Sequence, residues 1–184
     1  MKKRKILDFF IVTLGGMANG LFATLIIGTI FATIGKFFTI WPDNGFCKFM
    51  IEVIGTSEHK SGISCVLQLL TGAGIGAGIA LSLKFDTLKT ISLAAIGELA
   101  AYFSMSMGGE NNLPIVQNSL KVGDPLTIYF VVIAVALLTK LVLKKKTSVD
   151  ILIIPLFIGV VGLGISLLVR YPSAYVTYGM QWLI

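Results

Sequence analysis

Glu98 lies in the apolar stretch ISLAAIGELAAYFS, residues 91–104, where it is the sole charged side chain. An ionised carboxylate at the centre of a membrane-spanning helix costs about 2.5–3.5 kcal/mol on insertion scales, so it must face a cavity, find a donor or hold a proton. A group kept there at that cost is a candidate for binding a polar substrate or a proton. The alternative is a hydrogen bond between helices inside the bundle. Tyr102 follows four residues later and shares the same helical face.

Other polar groups could join it. Asn19, in GGMANG, is a polar side chain amid apolar sequence, and is expected to be buried between helices or to bind a ligand. The segment GGENNLPIVQNSLKVGDP, residues 108–125, is the most polar part of the chain and carries Asn111, Asn112 and Asp124. Such backbone can dip to membrane depth when it is buried in protein or lines a wet cavity. Asp124 also stands where a carboxylate would cap a helix start. We take Glu98, Tyr102, Asn19, Asn111, Asn112 and Asp124 as substrate-binding candidates.

Other chemistry finds less support. His59 is the single histidine, and no second histidine or cysteine stands at metal-ligand spacing from it. Cys47 and Cys65 fit two free thiols better than a disulfide. No nucleophile, base and metal set converges, so neither a catalytic centre nor a cofactor is expected. The run LTGAGIGAGIALSL, residues 70–83, has Gly72, Gly74, Gly76 and Gly78 at every second position but lacks the lysine and hydroxyl residue of a phosphate loop. On a helix, Gly72 with Gly76 and Gly74 with Gly78 form two smooth strips on nearly opposite faces. Each strip permits close approach of another helix. Local unwinding beside a substrate path is the rival use of the same glycines.

The elements that position these residues follow from composition. The chain has 184 residues, 55% hydrophobic and 13% charged, and a mean hydropathy of +0.90. Soluble domains carry roughly 25% charged residues. The continuous apolar runs call for lipid as solvent. Stretches of about 20 apolar residues span a bilayer, and the sequence predicts an all-α polytopic bundle of about five spanning helices, near 9–38, 61–83, 88–109, 125–143 and 150–169. Residues 45–55, with apolar side chains at helical spacing, and 171–184, with tyrosines and a tryptophan, read as interfacial segments. The start, MKKRKILDFF, precedes an apolar stretch too long for a signal-peptide core, so a retained first helix is expected.

Basic residues set the orientation. With the N-terminus inside, ten lysines and arginines fall on the cytoplasmic side and five outside, which predicts a cytoplasmic N-terminus and an external C-terminus. The net charge of +6 is then matched by anionic lipid headgroups, and nucleic acid is not needed as a partner.

Three stretches, NGLFATLIIGTI (19–30), GDPLTIYFVVIAVALLTKLV (123–142) and KKTSVDILIIPLFIGVVGLGISLLV (145–169), together with the glycine-rich second helix, resemble the bacterial phosphotransferase-system enzyme IIC-like membrane family, which includes perfringolysin regulator-like proteins. The resemblance implies a permease component in the bacterial cell membrane, binding and translocating a sugar or related small molecule and presenting it to a separate IIB-type phosphocarrier. Any phosphotransferase activity would then require IIA and IIB partners. A non-transporting membrane regulator that senses a small molecule is the alternative. Members of the family are generally longer, and the chain reads as an N-terminal half. An odd number of spans would force a fused second half to be inverted, so a complementary C-terminal half or a homo-oligomer is expected to complete the path.

Overall fold

The computed structural model describes residues 2–41, 44–56, 62–105, 124–143 and 149–183, and side chains within 7–104, 124–143 and 149–169 of these. Seven helices occupy the described residues: α1 (Lys2–Phe38), α2 (Gly45–Ile54), α3 (Ile63–Leu69), α4 (Thr71–Ser82), α5 (Thr87–Met105), α6 (Pro125–Val142) and α7 (Asp150–Leu183). No strand occurs among them, as expected where each backbone amide must be satisfied within its own segment.

Among the described residues, three helices can cross a membrane by length and composition: residues 7–38 of α1, α6, and the first part of α7. The bent pair α3 and α4 makes a fourth if it is counted as one span. The five spans expected from the sequence are therefore an overcount. The difference lies in α5, which carries Lys89 and Glu98 and packs against α4, α6 and α7. A helix packed against three neighbours does not need lipid-facing hydropathy along its whole length. The segment from 171 onward is also not a separate piece, since α7 continues through Leu183.

Packing centres on α4, which lies between α1 and α5 and also touches α6. Its interior residues Ile75, Ile79 and Ala80 join Leu93 and Ile96 of α5, Ile128, Val131, Val132 and Val135 of α6, and Ile154 and Ile158 of α7 in one apolar core. Glycine makes that centre possible. A Cβ built at Gly72 or Gly76 would run into the α5 backbone at Gly97 or Leu93, and one built at Gly74 or Gly78 would meet the α1 backbone at Gly20 or Gly16. The two faces of α4 thus press directly against two other backbones, the approach that small residues four apart allow.

The contacts also fix direction. Gly16 meets Gly78 and Ser82, Gly20 meets Gly74, and Gly28 meets Gln68, so α1 runs antiparallel to α3 and α4. Buried hydroxyls tie further helices together: Thr13 on α1 and Tyr129 on α6 share a hydrogen bond of 3.0 Å. Helix α2 packs on α1 and α3, with Cys47 turned inward and Phe46 and Phe49 exposed. Cys47 and Cys65 are both free thiols.

Candidate functional site: a carboxylate at a helix break

Between α3 and α4 the chain bends by 47°. Leu70, at φ −68° and ψ 6°, ends one helix and begins the next. Such a break releases backbone groups that water cannot reach in a bilayer, so the protein must satisfy them. It does so on both sides. The Thr71 hydroxyl donates to the Gln68 carbonyl at 2.6 Å, and the Ala73 amide donates to Glu98 Oε2 at 3.0 Å.

Glu98 therefore sits at the N-terminal end of α4, where exposed amides and the positive end of the helix dipole favour a carboxylate. Its approach is permitted by glycine, because Gly72 lies against Gly97 and the Glu98 Cα. The side chain is half-buried. One oxygen takes the amide, and a carboxylate with about four lone-pair sites keeps capacity for further donors.

The remaining candidates divide. Tyr102 is one turn along α5 from Glu98, 43% exposed, with its ring edge-on to Phe103 at 5.9 Å. Asp124 caps α6: Oδ1 accepts from the Leu126 amide at 3.3 Å, and Oδ2 from the Thr127 amide and hydroxyl at 3.4 and 2.7 Å. Its own amide donates to Ser104 Oγ at 3.0 Å, which fastens the start of α6 to the end of α5. Asn19 differs from the expectation of a buried group. It is exposed on α1, because Gly16 and Gly20 take the face toward α4 and place position 19 outward. Asn111, Asn112 and His59 lie outside the described residues. No cluster of three or more His, Cys, Asp or Glu able to hold a metal ion occurs among the described residues.

Some partners of the site were not singled out from sequence. Gly16 and Gly20 stand four apart on α1 and Gly97 directly precedes Glu98, which is the signal that matches them to the α4 glycines. The bend at Leu70 had a weaker one, a hydroxyl residue and a glycine directly after it in QLLTG.

The chain is therefore a helical membrane protein with a broken helix at its centre and a carboxylate held at the break. A family model described as "Phosphotransferase system, EIIC" matches residues 11–183, and the chain belongs to that family. It is thus a membrane component of a phosphotransferase transport system, which works with other components of that system. No match was found among curated proteins or among solved structures.

Proposed function

We propose that the chain is the permease component of such a system, binding a sugar or related small molecule on a path that passes the α3–α4 break. The observation that carries this reading is the hydrogen bond between Glu98 and the Ala73 amide at the bend between α3 and α4. Broken helices place backbone groups and polar side chains where a substrate can replace water, and they mark binding sites in transporters. Glu98 would accept hydroxyl donors of the sugar, and Tyr102 would offer an apolar ring with a polar tip. Asn111 and Asn112 would add amide groups able to bind sugar hydroxyls, and Asp124 holds the start of α6 against the end of α5.

The charge bias supports a cytoplasmic N-terminus and an external C-terminus, with a IIB-type phosphocarrier receiving the substrate on the inner side. A complementary half or a second copy would complete the path. Proteoliposomes holding this polypeptide alone should accordingly show no saturable, substrate-specific uptake, and such uptake would remove the need for a partner.

The site itself is tested by a sugar-dependent thermal shift screen on the wild type and Glu98→Gln. Glutamine keeps an oxygen for the Ala73 amide but loses the charge, so the fold should survive. Loss of a charge-assisted hydrogen bond is expected to weaken sugar binding about tenfold or more. Equal responses of both proteins to every sugar would take Glu98 out of the site.

A further inference from the structure

Far from Glu98, three lysines line one open cleft. Lys84, Lys89 and Lys140 surround a volume of about 440 Å³ with Leu83, Phe85, Asp86 and Leu143. The cleft lies where α4 ends, α5 begins and α6 ends, the level at which the antiparallel α1 begins. The cleft lining thus holds three lysines and one carboxylate. Lys89 has a side chain only 15% exposed, sits 4.0 Å from the Asp86 carboxylate, and donates to the Leu143 carbonyl at 3.2 Å. Lys84 and Lys140 are exposed.

The backbone at Lys84 points to a use. Helix α4 ends with the Phe85 amide donating to Ala80 and the Lys84 amide to Leu81, at 3.1 and 3.0 Å. This double closure puts Lys84 at the position normally taken by glycine, and its φ is +57°, the sole positive value among the described non-glycine residues. A side chain in that conformation is strained, and strain of this kind is retained where a structure uses it. A chain with 20 glycines places a lysine at a position where glycine would fit without strain.

We propose that this cleft binds the phosphate group of an anionic phospholipid. The chemistry is that of the lining. Ammonium groups supply donors and charge for a phosphate, and basic pockets between helices at a bilayer surface take anionic headgroups. Lipid, rather than free phosphate, fits the walls: Leu83, Phe85 and Leu143 give an apolar side to the cleft, and the exposed Leu137 and Leu141 continue along α6 as a track for an acyl chain. The Lys89–Asp86 pair stays as a fixed base, and Lys84 and Lys140 close on the headgroup from either side.

The test uses the full chain purified in a neutral detergent, titrated separately with phosphatidylglycerol, phosphatidylcholine and inorganic phosphate, with thermal stability and native mass spectrometry as readouts. Phosphatidylglycerol should stabilise the protein and remain bound, with little effect of the other two. Each lysine near a membrane surface contributes about fivefold in affinity for anionic lipid, so Lys84→Gly and Lys140→Gln should each weaken phosphatidylglycerol binding about fivefold. Without lipid, Lys84→Gly should melt at or above the wild-type temperature, since glycine relieves the strained φ; this separates loss of binding from loss of fold. Wild-type lipid affinity in both variants would overturn the proposal. Inorganic phosphate that saturates the same shift and leaves none for phosphatidylglycerol would overturn the lipid assignment.

Discussion

Helices α4 and α7 both carry spaced glycines, and the two sets serve different ends. Along α4, Gly72, Gly74, Gly76 and Gly78 each face the backbone of another helix, so that a single added carbon would strike a carbonyl or a Cα. Along α7, Gly159 and Gly164 have nothing within 4 Å of that added carbon, and Gly162 between them meets the Ile96 side chain. The same residue type at similar spacing marks the centre of the bundle in one helix and open space in the other. What distinguishes them is the partner: α4 is opposed by glycines on both sides, Gly16 and Gly20 on α1 and Gly97 on α5.

That contrast yields a ranked set of alanine substitutions. Large effects are expected of Gly20→Ala and Gly76→Ala, which put a methyl group onto the Gly74 carbonyl or the Leu93 carbonyl. Backbone cannot yield as a side chain does, and inserting a methyl into a packed core costs about 1–3 kcal/mol. Thermal unfolding of the purified chain should show a clear fall in midpoint for both. Gly76→Ala should also disturb Glu98, because it pushes α5 away from α4. Any reduced response to sugar in that variant should be matched by Gly72→Ala, which meets the same two helices nearer the carboxylate. Stability unchanged in both variants would mean that α4 is not held by direct backbone contact.

The glycine run was legible in sequence as a helix with two smooth faces, but its partners were less so. Four-residue spacing specifies a strip and leaves open which helix meets it, because any small-residue strip is complementary to another. Asn19 shows the cost of reading a residue without its neighbours. Its position in GGMANG made it a candidate for burial, yet the glycines at 16 and 20 take the inward face and turn Asn19 out. Glu98 was legible for the opposite reason, since a lone carboxylate in apolar sequence requires a partner wherever it lies. Its donor, the Ala73 amide, was not, because a backbone amide becomes available only when a helix breaks and the sequence signal for the break at Leu70 is slight. Helix α5 likewise misled the count of spans: its apolar run is interrupted by Glu98 and preceded by Lys89, and a mostly apolar helix can be solvated by protein as well as by lipid.

Gly162→Ala should be intermediate. Its neighbour is the Ile96 side chain, which can rotate out of the way at a cost of about 0.5–1.5 kcal/mol for leaving a preferred rotamer. Shortening Ile96 tests that cause directly. In a double-mutant cycle, Ile96→Val should recover part of the loss from Gly162→Ala, because removing a carbon makes room for the one added. Additive effects would place the strain elsewhere on the contact between α5 and α7.

The smallest effects are expected at Gly159 and Gly164, and they are the most informative about what surrounds the bundle. With no protein atom near the added carbon, alanine removes glycine's helix penalty, which is at most about 1 kcal/mol, so the midpoint should hold or rise. The neighbouring exposed residues Leu156, Val160, Leu163, Leu167 and Leu168 would be covered by lipid in a chain that stands alone. A second half or a second copy packed there would use the two glycines as α1 and α5 use those of α4, and alanine would then weaken assembly. Measuring both variants in the isolated chain and again in native membranes separates the cases. Neutral behaviour in both settings assigns this face to lipid, while a loss confined to the membrane, with the isolated chain unaffected, identifies it as the surface that a partner covers.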